Sequence, residues 1–157
     1  MARYIVDSQI DNHEKYYFIR EQESQDIVLL PSKYLMHKKR SKLSPNTMRR
    51  RAGAISYYLN YIDETGIQLD DVWEMPYNKQ QEHFTDYLIW LQAGLHSGDS
   101  YKKKPYNETC NAYLKEVFRF YRFSGQQDES TKQLKVLSDM TIIVHNSVGV
   151  KRTLYRN

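Results

Sequence analysis

Ser44-Pro45-Asn46-Thr47-Met48-Arg49-Arg50-Arg51-Ala52-Gly53-Ala54-Ile55-Ser56-Tyr57-Tyr58-Leu59 reads as the start of a long amphipathic helix. Ser44 suits the N-cap, and Pro45 takes the first helical position, where its missing N–H costs nothing. The pattern continues to Asp63-Glu64, and Gly66 supplies a left-handed exit. At about 100° per residue, Met48, Ala52, Ile55, Leu59 and Ile62 fall in one stripe roughly 80° wide. Opposite it lie Asn46, Arg49, Arg50, Gly53, Tyr57, Asn60 and Tyr61. Gly53, mid-helix on that open face, costs about 1 kcal/mol relative to alanine. Two explanations fit it: close packing against a neighbouring helix, or close approach of the helix backbone to another surface.

A second helix repeats the plan. Asn107 is its expected cap, and it runs to about Phe123, stopping at Ser124-Gly125. Cys110, Leu114, Val117 and Tyr121 form the apolar stripe, with Tyr113 and Phe118 beside it. Asn111, Lys115, Arg119 and Arg122 lie opposite. Each helix buries one face and offers Arg, Lys, Asn and Tyr on the other. The two N-termini, at residues 44–47 and 107–109, also present free N–H groups that suit a phosphate, although capping alone selects the same residues.

Outward from these helices the signals are shorter. Tyr4-Ile5-Val6, Tyr16-Tyr17-Phe18-Ile19 and Ile27-Val28-Leu29-Leu30 read as strands separated by turn-forming Asp-Asn-His and Gln-Glu-Ser-Gln. Pro31-Ser32 then opens a short helix to about Lys42. Residues 67–77 read as a loop with an acidic bend. A further helix over residues 79–95 places Phe84, Tyr87, Leu88, Leu91 and Leu95 on one face. Residues 96–106 form a polar connection. The tail mixes a short helix at 131–138 with a β-like run at 141–144. The expected organisation is an N-terminal β segment (1–30), a helical domain (31–125) and a linker (126–157). The fold class is mainly α, a four-helix bundle with a short N-terminal β-hairpin or small sheet.

The charge is segregated. The 157 residues carry 23 Lys and Arg against 19 Asp and Glu, a net +4. Between residues 27 and 62 there is no acid at all, yet Lys33, Lys38, Lys39, Arg40, Lys42, Arg49, Arg50 and Arg51 lie there. Lys102-Lys103-Lys104 followed by Lys115, Arg119 and Arg122 forms a second basic group. A polyanion-facing surface accounts for that pattern, and nucleic acid is the commonest polyanion.

Other chemistry is excluded or weakly signalled. No apolar run reaches the roughly 18 residues of a membrane span. The N-terminus meets Asp7 before any signal-peptide core develops. A single cysteine, Cys110, rules out a disulfide framework and makes a cytosolic compartment the default expectation. There is no CxxC, HExxH or glycine-rich phosphate loop, so no metal or cofactor is expected. Cys110 reads as a packed core thiol. His37-Lys38-Lys39-Arg40 matches the H-x-x-R of tyrosine recombinases, but in a lysine-rich N-terminal helix it reads as coincidence.

Leu30-Pro31-Ser32-Lys33-Tyr34-Leu35, the Ser44 helix through Leu59, and Asn107-Glu108-Thr109-Cys110-Asn111-Ala112-Tyr113-Leu114-Lys115-Glu116-Val117-Phe118-Arg119-Phe120-Tyr121 together resemble the core-binding domain of phage-type integrases, the tyrosine site-specific recombinases. The resemblance covers about residues 30–125. It implies a SAM-like four-helix bundle that grips one side of duplex DNA. It also implies a separate catalytic domain carrying an Arg, Lys, His-x-x-Arg and Tyr set after the basic Lys151-Arg152-Thr153-Leu154-Tyr155-Arg156. That catalytic domain is expected to begin beyond Asn157, so this chain is expected to bind without cleaving strands.

The candidate DNA-binding residues are Lys38, Lys39, Arg40, Lys42, Asn46, Thr47, Arg49, Arg50, Tyr57, Asn107, Thr109, Asn111, Lys115, Arg119 and Arg122. Arg and Asn can pair with base edges, and Lys and Tyr can reach phosphates. Expected partners are double-stranded DNA and other recombinase protomers on it, with this chain alone a monomer and no membrane partner. The competing reading is a helical protein–protein adaptor, since Tyr and Arg also populate interaction hot spots.

Overall fold

The computed structural model describes residues 3–39, 42–97, 104–127, 132–138, 141–145 and 151–156. It is mainly helical, with a small antiparallel sheet at its N-terminus, as the patterning predicts. Strands β1 (Tyr4–Asp11) and β2 (Glu14–Glu21) pair from Tyr4↔Glu21 to Asp11↔Glu14. Asn12 and His13 close the hairpin at φ 51° and 68°, the left-handed pair that a two-residue turn of native twist requires. Tyr17 and Ile19 alternate inward and are buried.

The expected third strand is absent. Ile27 makes only an isolated bridge to Arg20, and Val28 N–H donates to Ile19 C=O at 2.9 Å. Leu29 and Leu30 instead begin helix α1 (Leu29–Lys39). Pro31 falls in that helix's first turn, where no intrahelical N–H bond is lost.

Helix α2 (Pro45–Thr65) begins and ends as its sequence dictates. Ser44 Oγ accepts from Thr47 N–H at 3.2 Å. Gly66 exits at φ 75°, and Ile67 N–H reaches back to Ile62 C=O at 2.9 Å. Met48, Ala52, Ile55, Leu59 and Ile62 are all buried.

The open face of α2 is narrower than its periodicity suggests, because the hairpin covers part of it. Asn60 Oδ1 accepts from the N–H groups of Arg3 (3.0 Å) and Tyr4 (2.9 Å), and its Nδ2 donates to Tyr4 C=O at 3.1 Å. Ser56 Oγ donates to the same carbonyl at 3.0 Å. Tyr61 is buried against Tyr87 and Trp90, with ring centroids 5.2 and 5.3 Å away. Asn60 and Tyr61 are therefore structural and not part of an open face.

The acidic loop holds a short helix, α3 (Asp71–Glu74), whose Val72 and Trp73 are buried. Helix α4 (Tyr77–Gln92) starts two residues earlier than Lys79 and ends before Leu95. Gly94 at φ 77° turns the chain into a 3-10 turn, Leu95–Ser97, so Leu95 is exposed and does not join Phe84, Tyr87, Leu88 and Leu91 in the core. Helix α5 (Asn107–Gln126) carries Tyr106, not Asn107, at the cap position, with no side-chain cap bond. It also runs through Ser124-Gly125. Gly125 is there for close packing: a Cβ on it would lie 2.0 Å from Lys132 O and 3.1 Å from the Trp73 ring.

Beyond α5, Leu134 and Val136, within the stretch read as a linker, are buried with the bundle core. Val136 N–H donates to Gln80 Oε1 at 3.2 Å, and Lys135 Nζ donates to the carbonyls of Trp73 and Met75 at 2.8 Å each. Helix α6 (Lys135–Ser138) is a single turn. The β-like run extends as β3 (Thr141–His145), which pairs antiparallel with β4 (Lys151–Arg156).

The centre of the bundle is aromatic and polar at once. Tyr58 Oη lies 2.9 Å from His83 Nε2 and 2.6 Å from Tyr121 Oη, and Tyr121 donates to Leu69 C=O at 3.1 Å. With one proton per hydroxyl, Tyr58 then donates to Tyr121, and a neutral His83 donates from Nε2 to Tyr58. Burial lowers the His83 pKa from 6.5 to about 4. The unfolded chain takes up this proton as pH falls through 6.5, and the folded chain does so only near pH 4. Stability is therefore expected to fall across that interval by roughly 3 kcal/mol and to level off below it. Denaturant midpoints between pH 7 and 4 check this, and His83→Gln should flatten the profile.

Candidate nucleic-acid interface

Helices α2 and α5 run antiparallel: Arg51 meets Glu116 while Tyr57 meets Tyr113. Between them lies a cavity of about 310 Å³ lined by Thr47, Arg50 and Arg51 from α2 and by Glu108, Thr109, Tyr113, Glu116 and Arg119 from α5. Of the sequence candidates, the fold thus brings Thr47, Arg50, Thr109 and Arg119 together.

The floor of this groove is a polar node that sequence reading missed. Glu116 is only 2 % exposed. Its Oε1 accepts from Arg51 Nη1 at 3.0 Å and Arg119 Nη1 at 3.1 Å, and its Oε2 accepts a short bond from Tyr34 Oη. Lys38 Nζ sits 5.7 Å from the centroid of the Tyr34 ring. Burial, and then the Glu116 carboxylate, hold the Tyr34 phenol well above its ordinary pKa. Burial, and then Arg51, lower the Lys38 pKa. Glu116 thus faces Arg51, Arg119 and, from behind, Lys38, and the groove itself is lined by Arg50, Arg51 and Arg119 against the carboxylates of Glu108 and Glu116. Arg51 had one available signal: at about 100° per residue it falls beside the apolar stripe, unlike Arg49 and Arg50. Nothing local marks Glu116 as its partner.

The remaining arginines divide by whether a carboxylate answers them. Arg3 pairs with Asp63 (2.5 Å) and Glu21 (3.6 Å), and Arg20 pairs with Asp7 (3.1 Å). Arg49 and Arg50 are exposed and make no ion pair among the described residues. Arg49 and Asn46 flank a second hollow shared with Val6, Asp7, Lys15 and Tyr17 of the hairpin. Tyr57 is half-buried, its ring 5.4 Å from Tyr113 and 4.7 Å from His96.

Other candidates lie apart from the groove. Lys39 sits over the Tyr16 ring at 5.8 Å. Lys42 is exposed at φ 61°. Arg122 lines a hollow with Lys38 and His37 at the end of α1. Asn111, Lys115 and Arg122 share a stripe roughly 40° wide beside Arg119 and do not line the groove. Asn107 Oδ1 accepts from Gln92 Nε2 at 3.3 Å and so ties α5 to α4. Arg40, Lys102 and Lys103 lie outside the described residues.

The reactive side chains are otherwise engaged. Cys110 is buried, and burial raises its pKa to about 11, so the thiol stays protonated at neutral pH. His37 packs on the Phe123 ring at 5.1 Å. Among the described residues no group of three His, Cys, Asp or Glu could hold a metal ion, and no helix is long and apolar enough to cross a membrane. No family model matches the chain, and neither a curated protein nor a solved structure matches it.

Proposed function

We propose that this chain is a sequence-specific, duplex-DNA-binding module of a phage-type integrase. In this role it positions a tyrosine recombinase and its fellow protomers on the recombination site and performs no strand chemistry itself. The observation that carries the reading is the pair Arg49 and Arg50, exposed on α2 without a carboxylate partner, beside a groove whose lining holds Arg50, Arg51 and Arg119 against Glu108 and Glu116. Unpaired guanidinium groups on a ridge suit phosphate and guanine edges, and α5 brings Arg119 to the same groove.

Arg50→Ala is expected to weaken duplex binding and to lower the salt slope by about one if the guanidinium holds a phosphate. A loss of preference at one base pair, costing about 1–3 kcal/mol, would identify a base contact instead. Titration of labelled duplexes measures both. Unchanged binding by the doubly substituted Arg49→Ala, Arg50→Ala protein would sink the proposal.

A further inference from the structure

Among the described glycines, Gly53 alone has no reason within the chain to be glycine. Gly66 and Gly94 adopt left-handed φ values of 75° and 77°, and Gly125 would clash with a backbone carbonyl. Gly53 sits mid-helix in α2, and a Cβ added there would meet only the ring of its own helix neighbour Tyr57, at 4.0 Å, an ordinary contact. The packing explanation for Gly53 is thereby removed. The chain carries the conformational cost of a helical glycine at a place where alanine fits.

Gly53 also lies at the bottom of a hollow of about 290 Å³ lined by Val6, Arg49, Arg50, Tyr57 and Tyr113, between the hairpin and α5. We propose that one sugar–phosphate strand of duplex DNA lies in this hollow against the bare backbone of α2 at Gly53, held by Arg49 and Arg50. This rests on the DNA-binding reading and adds where the strand lies. The flanking charge decides the occupant. An apolar protein helix seated on Gly53 would bury two guanidinium groups with no counter-charge, which is costly. A phosphodiester strand supplies that charge, and a glycine lets it come close.

Gly53→Ala and Gly53→Leu separate the two roles of this position, because stability and binding should move in opposite directions. Alanine is expected to raise the melting temperature by about 2 to 4 °C. The same change should weaken duplex binding on the order of tenfold, with leucine weakening it further. Gly53→Ala that melts higher and binds duplex as tightly as the wild type, while Arg50→Ala binds weakly, overturns this proposal and leaves the parent reading standing. A wild-type chain that ignores duplex DNA at low salt overturns both.

Discussion

Glu116→Ala is expected to lower folding stability by about 3 kcal/mol. The carboxylate is 2 % exposed and accepts bonds from Arg51, Arg119 and Tyr34. Its removal leaves the Arg51 guanidinium, 22 % exposed at the side chain, without its counter-charge and facing Arg119 and Lys38. Arg119 is 40 % exposed and can turn toward water, which keeps the cost at the lower end for a broken buried pair. Tyr34 also loses its acceptor while remaining buried. Replacing both charges, Glu116→Leu with Arg51→Met, should cost less than Glu116→Ala alone, because the less exposed of the two guanidinium groups is then no longer left unpaired and Arg119 can turn toward water. Urea denaturation of the three proteins checks this, and a cost below about 0.5 kcal/mol for Glu116→Ala would refute the node's role.

Gly125→Ala should cost a similar amount, about 3 kcal/mol or more, for a steric reason. The added carbon would lie 2.0 Å from Lys132 O and 2.9 Å from Lys132 C, both backbone atoms that no rotamer change can move. The Lys132 N–H to Gly125 C=O bond, 3.1 Å, holds that segment in place. Relief would require lifting the segment that carries the buried Leu134 and Val136. A near-neutral melting temperature for Gly125→Ala would mean that this segment does not pack on α5 as described.

These two positions also show where sequence reading reaches its limit. Gly66 and Gly125 look alike in sequence, each near the end of an amphipathic run. Gly66 stops its helix, but Gly125 lies within one, because a carbonyl seven residues further on occupies its Cβ site. The α2 core stripe was legible because a cap, a periodic apolar face and an αL glycine agree over 21 residues. Leu29 and Leu30 misled because a short apolar run fits strand and helix equally. In the candidate site, Arg49, Arg50 and Arg119 were legible as basic residues opposite an apolar face. The Glu116 node was not, since its partners Arg51 and Tyr34 lie 65 and 82 residues away along the chain. Tyr61 and Asn60 were misplaced because helical periodicity cannot reveal that a hairpin and α4 cover the flanks of α2.

The most direct test of the DNA-binding reading is the affinity of the whole chain for duplex DNA between about 50 and 200 mM salt. With Arg49, Arg50 and neighbouring cations neutralising several phosphates, the logarithm of affinity should fall linearly with the logarithm of salt, at a slope of about −4. Absence of duplex binding at the lowest salt, or an affinity independent of salt, would contradict the account.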